Sequence, residues 1–136
     1  MAKTNAFKIA ELIRVFSYDT GNDVITTSKE LDTKHRTSDS LTTTATTQVN
    51  LDTFAHANFR AARYVIAMSS GSDYHSTEVV LVHDGSNVTM TQYGTLKSTS
   101  LATFDADISG SDCRLRVTPA STSSTAINFH RTVVSA

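Results

Sequence analysis

From about residue 46 onward, apolar and polar positions alternate along the chain, which is the period a strand with one buried face produces. Phe59-Arg60-Ala61-Ala62-Arg63-Tyr64-Val65-Ile66-Ala67-Met68 reads as a long strand, and Ser69 to Asp73 supplies a turn after it. Glu78-Val79-Val80-Leu81-Val82 is the most apolar run and predicts a central strand. His83-Asp84-Gly85-Ser86-Asn87 predicts a hairpin connection, because Asp-Gly gives the positive φ such a turn requires. Val88, Met90 and Gln92 then alternate with Thr89, Thr91 and Tyr93. Leu101 to Ile108, Arg114 to Thr118 and Ala126 to Val134 complete a series that Val49, Leu51 and Phe54 open. Seven or eight strands at spacings of roughly 10 residues predict an all-β chain, an antiparallel, jelly-roll-like β-sandwich.

The first 45 residues follow a different pattern. Ile9, Leu12, Ile13 and Phe16 recur at i, i+3, i+4 and i+7, which places them on one stripe of a short helix over residues 5–16. Asn5 is its N-cap, and the turn-rich Ser17-Tyr18-Asp19-Thr20-Gly21-Asn22 ends it. A helix of about three turns is marginal alone. Its stripe is therefore expected to dock, either on its own sandwich or, as an assembly anchor, on another subunit or protein. Val24 to Thr27 fits a short strand, Lys29 to Ser40 is polar without usable periodicity, and Leu41 to Thr47 fits a strand or an extended linker. The expected division is a helix and extended attachment arm at 1–45 and a sandwich at 46–136.

Composition narrows the picture. The 136 residues and 14.7 kDa suit one domain. With 31 Leu, Ile, Val and Phe the chain can bury a core. No apolar run approaches the roughly 18 residues that span a bilayer, and the N-terminus carries no secretory pattern. A net charge of −1 and a pI near 6.5 supply no field for nucleic acid or an anionic membrane, so neither is expected as a partner. Cys113, the one cysteine, excludes an internal disulfide. The distinctive feature is 22 Thr and 17 Ser with one Pro and no Trp, a hydroxyl-rich composition that favours pleated surface and turns.

Candidate chemistry is sparse. His35, His56, His75, His83 and His130 stand at no helical or strand spacing that would preset them on one ion. Asp105-Ala106-Asp107-Ile108-Ser109-Gly110 opens like a calcium loop, but the twelfth position is Arg116, which would repel the ion, so a strand ending in a turn is expected. There is no Gly-x-Ser-x-Gly elbow, no clustered glycine loop, and only three glutamates, Glu11, Glu30 and Glu78. The expectation is therefore no catalytic residue, no metal and no cofactor in a non-enzymatic chain. Arg114 and Arg116, two apart on one strand face, are a candidate interface for an acidic partner.

Phe59 to Ile66, Thr77-Glu78-Val79-Val80-Leu81-Val82-His83-Asp84-Gly85, Tyr93-Gly94-Thr95, Phe104 to Gly110 and Arg114 to Pro119 resemble a β domain of virion structural proteins of tailed phages, especially cyanophages. The resemblance covers roughly residues 46–134. It implies a virion structural protein, a tail, neck or fibre appendage component attached by its N-terminal segment, with capsid decoration as the alternative. The implied partners are other virion proteins and further copies in a homo-oligomer. A carbohydrate-binding module for the host surface glycan is the rival reading. Against it, the chain lacks Trp and scatters Tyr18, Tyr64, Tyr74 and Tyr93.

Overall fold

The structure, a computed structural model, describes residues 35–136 in full and, before them, only the backbone of two strands. These are β1 (Phe16–Asp19) and β2 (Val24–Thr27), an antiparallel pair running from Phe16 opposite Thr27 to Asp19 opposite Val24. The helix expected over residues 5–16, with Ile9, Leu12 and Ile13, lies outside the described residues. Phe16 opens β1, and Ser17 to Asp19, expected as turn, continue that strand. The chain divides into two compact units after Lys34.

The second unit is built from eight strands. β3 (Arg36–Thr43), β5 (Phe59–Ser70), β6 (Asp73–His83), β7 (Val88–Lys97) and β10 (Thr125–Ser135) form one sheet in the order β3-β10-β5-β6-β7. β4 (Val49–Ala55), β8 (Ala102–Ser109) and β9 (Asp112–Pro119) form the other in the order β4-β9-β8. All pairings are antiparallel. The division expected at residues 45 and 46 falls in the β3–β4 connection, because Arg36 to Thr43 is bonded to β10 along its whole length.

The jelly-roll expectation is corrected by the connectivity. A jelly roll sends successive strands between two sheets, whereas β5, β6 and β7 run as a meander within one. β10 returns beside β5, giving the spatial order of a Greek key with β8 and β9 inserted in the facing sheet.

Strict alternation explains why β5, β9 and β10 lie where they do. Tyr64, Ile66 and Met68 from β5 and Ile127, Phe129 and Val133 from β10 face inward. Phe54, Cys113, Leu115 and Val117 meet them from the smaller sheet. Each large side chain removed from water in this way contributes roughly 1.5–3 kcal/mol. In β4, Leu51 is an extra residue between the Asn50–Arg116 and Asp52–Leu115 pairs. That bulge lets Leu51 and Phe54, three residues apart, both point into the core.

The chain uses one tetrapeptide twice to reverse direction. Ser70-Gly71-Ser72-Asp73 joins β5 to β6, and Ser109-Gly110-Ser111-Asp112 joins β8 to β9. Gly71 and Gly110 take φ of 60° and 61°, the positive angle that a two-residue hairpin loop needs at its first position.

Candidate functional site

One end of the sandwich gathers the β5–β6 turn, the β7–β8 connection and the β9–β10 connection around an open cleft of about 440 Å3. Ser70, Asp73, Thr99, Ser100, Ser121, Ser123 and Ser124 line it with oxygens, and Leu101 supplies its one large apolar side chain. Loops at the end of a rigid sandwich are where binding residues concentrate, and the volume lies within the range of small-molecule sites.

Internal hydrogen bonds hold the walls. Ser70 Oγ donates to the Ser124 carbonyl at 3.0 Å, tying the first connection to the third. The Ala120 N–H donates to the Leu101 carbonyl at 2.8 Å, tying the third to the second. Ser98 Oγ donates to Asp73 Oδ1 at 2.9 Å and accepts the Tyr74 N–H at 3.0 Å. Behind the cleft, the Leu101 N–H donates to Nδ1 of His75, a side chain only 2% exposed. Burial, then the charge of Lys97, lowers the pKa of His75 and keeps the ring neutral. The result is a preformed recess of hydroxyls and one carboxylate, chemistry that matches a ligand which is itself a row of hydroxyls.

Arg114 and Arg116 lie elsewhere, on the outer face of the smaller sheet. Arg114 Nε donates to Asp107 Oδ1 at 2.7 Å and its Nη2 to Oδ2, while Arg116 Nη1 reaches Oδ2 at 3.4 Å. The bonds from Arg114 hold the Asp107 carboxyl below its ordinary range. β8 passes straight through Asp105 and Asp107 to its hairpin turn, as the strand reading expects.

The histidines are dispersed. His35, His56 and His83 share the opposite end of the sandwich, with the His56 and His83 rings 5.9 Å apart. His83 Nε2 contacts the Phe59 carbonyl at 2.6 Å, and its Nδ1 accepts the Gly85 N–H at 3.2 Å. Among the described residues no group of His, Cys, Asp or Glu is arranged to hold a metal ion. Cys113 is fully buried, and burial raises its thiol to about 11, so it is an inert core residue.

Sequence reading missed the cleft. Its Ser-rich segments, Ser98-Thr99-Ser100 and Ser121-Thr122-Ser123-Ser124, are visible in the chain, but only the sheet order brings them together.

No family model and no curated protein matches the chain. Solved structures do. The tailspike protein of Acinetobacter phage vB_ApiP_P1 superposes with a TM-score of 0.52 at 16% identity, over 73% of this chain and 22% of the tailspike. The tailspike of Acinetobacter baumannii phage AM24 gives 0.40 at 13% identity, over 74% of this chain and 26% of that one. A tailspike of Acinetobacter baumannii bacteriophage Fri1, a capsular polysaccharide depolymerase, gives 0.32 at 10% identity, over 98% and 24%.

The fold is thus one that a phage tailspike carries, and the chain spans about a quarter of the length of the structures it matches. The cyanophage resemblance has no counterpart among these three, whose phages infect Acinetobacter. The expectation of a non-enzymatic chain is corrected as well: the fold is one that a tailspike carries, and it gives no ground for excluding an activity.

Proposed function

We propose that this chain is a module of a tailspike-type phage appendage, attached to the virion through its N-terminal segment, and that its cleft engages a polysaccharide of the host surface. The observation that carries the reading is the hydroxyl-lined recess at the loop end of a domain with a tailspike fold. Ser100, Ser121 and Ser123 offer donors and acceptors to sugar hydroxyls, Ser70 offers an acceptor, and Asp73 Oδ2 has no protein donor among the described residues. Leu101 gives the apolar face of a sugar ring a surface to rest on. Ile9, Leu12, Ile13 and Phe16 are assigned to attachment, with other virion proteins as partners.

The test is retention of the full chain on a panel of purified bacterial surface polysaccharides. At least one should retain it, and Ser100→Trp, which fills the cleft, should abolish retention. Asp73→Ala should weaken it about ten-fold, the equivalent of one charge-assisted hydrogen bond of about 1.4 kcal/mol. New reducing ends in the same incubation separate cleavage from binding. Retention that ignores both substitutions overturns the assignment of the cleft, and failure of the whole panel overturns the glycan reading.

A further inference from the structure

The hydroxyl-lined cleft carries one kind of charge. Among the described residues that line it, Asp73 alone is ionic, and the rest are Ser, Thr, Gly, Ala and Leu101. The carboxylate is fixed in place. The Tyr74 N–H donates to Ser98 Oγ at 3.0 Å, and that hydroxyl donates to Asp73 Oδ1 at 2.9 Å. The cations of the domain are committed elsewhere. Arg114 and Arg116 pair with Asp107, Arg63 with Glu78, and Arg131 with Asp52. Arg60 donates to the His83 carbonyl at 3.2 Å, and Arg36 lies opposite Thr132, both toward the far end of the sandwich. Lys97 is the one cation at the cleft end among the described residues. It stands opposite His75 on β7, outside the lining, and forms no ion pair with Asp73.

We infer that the cleft selects polysaccharides by charge, taking sugars that carry a free ammonium group and rejecting sugars that carry a carboxylate, with Asp73 as the residue that decides. This selection rests on the glycan reading of the cleft.

The two kinds of sugar meet the same wall with opposite results. A neutral sugar hydroxyl makes an ordinary hydrogen bond to the open carboxylate oxygen of Asp73. An ammonium makes a charge-assisted one, roughly twice as strong. A sugar carboxylate gives up part of its hydration on entering, finds no guanidinium or ammonium among the lining residues, and faces a like charge. An unpaired like charge is the usual means by which a site turns away a near relative of its ligand. Because Ser98 holds Asp73 Oδ1, the carboxylate is ready to receive the cation without first being ordered.

Three immobilised polymers test it with the full chain: chitosan oligosaccharides with protonated amines, the same oligosaccharides after N-acetylation, and polygalacturonate. Chitosan should retain the chain about three-fold more strongly than its acetylated form, the scale of a solvent-exposed ion pair. Polygalacturonate should not retain it. Asp73→Asn keeps the size of the side chain and an acceptor for Ser98, and should erase the advantage of chitosan. Asp105→Asn makes the same change in net charge at an exposed position on the smaller sheet, and should leave the order of the polymers as it was. Salt gives a reading that needs no variant. At about 1 M, where charges act over only about 3 Å, chitosan and its acetylated form should retain the chain alike. A chain that chitosan does not retain, a preference for polygalacturonate, or an order that Asp73→Asn does not change overturns the charge selection. The glycan reading itself then stands or falls separately, on the polysaccharide panel and Ser100→Trp.

Discussion

Arg131 on β10 crosses the sandwich interior to Asp52 on β4, its Nη1 donating to Oδ2 at 2.6 Å. The side chains are only 10% and 12% exposed. Tyr64 on β5 donates its hydroxyl to the same oxygen at 2.9 Å, and Arg131 also donates to the Thr53 carbonyl and to Thr37 Oγ1 on β3. One carboxylate therefore clamps strands of both sheets. Burial, then the Asp52 charge, raises the Tyr64 pKa, so the phenol stays a donor across the accessible pH range. Asp52→Ala leaves a buried guanidinium uncompensated and should cost about 3–5 kcal/mol in urea unfolding. Tyr64→Phe leaves the ion pair intact and should cost only about 1 kcal/mol. Equal losses would mean that the carboxylate does not organise the network.

The bulge in β7 makes a sharper prediction about backbone alone. Thr77 of β6 stands opposite two residues, Gly94 and Thr95, and Gly94 has φ of 61°. A Cβ added at Gly94 would meet nothing nearer than Glu78 Cγ at 4.0 Å. With no clash, the cost of Gly94→Ala is the left-handed backbone itself, about 1–2 kcal/mol. Gly94→Asn should cost less, since Asn tolerates that region better. Urea midpoints of the two variants decide it, and an Ala variant as stable as the parent would refute the bulge geometry.

The strands that were legible in the sequence are those whose alternation is carried by side chains. β5, β9 and β10 bury every second residue, so their hydrophobic pattern states both the strand and its face. β3 was not legible, because only Thr37, Leu41 and Thr43 are even partly buried there. Its backbone ladder to β10 holds it at the sheet edge, and hydropathy cannot register a ladder. β4 broke the pattern because the Leu51 bulge shifts the period by one. Val80 and Val82 suggested a strand central to its sheet, whereas β6 lies next to the edge strand β7. The cleft was hidden for a different reason. Asp73, Ser100 and Ser123 are far apart in the chain and become neighbours only through the order β10-β5-β6 and the loops that follow from it.

Asp84 gives a pH dependence confined to strong acid. Its Oδ1 accepts the N–H groups of Asn87 at 2.7 Å and Ser86 at 2.8 Å, which caps the β6–β7 turn. These bonds, that from Asn87 first, pull its pKa from 3.8 to about 2. A carboxyl depressed in the folded state adds stability that is complete above its unfolded value and fades as pH falls through the folded one. The stability difference between the parent and Asp84→Ala should be constant above about pH 4 and shrink toward pH 2. Urea unfolding of the pair across that range measures it, and a difference that does not change with pH would deny the cap its ionised form.

His75 should act in a higher and separate window. Its Nδ1 accepts the Leu101 N–H at 3.3 Å, and its Nε2 is buried without a partner among the described residues. Protonation would set a second N–H against Leu101 and place a charge in the interior facing Lys97. The folded pKa is therefore lowered from 6.5, and the unfolded chain binds the proton more readily. Stability from this residue is complete above about pH 6.5 and is lost as pH falls below it toward the folded value. His75→Gln retains an acceptor for Leu101 and removes the titration. The other four histidines contribute alike to both proteins, so the difference between their pH profiles isolates His75. Between pH 7 and 5 the parent should lose more stability than the Gln variant. Parallel profiles would show that the ring titrates freely in the folded chain, and the packing of Leu101 over it would then have to be looser than the structure places it.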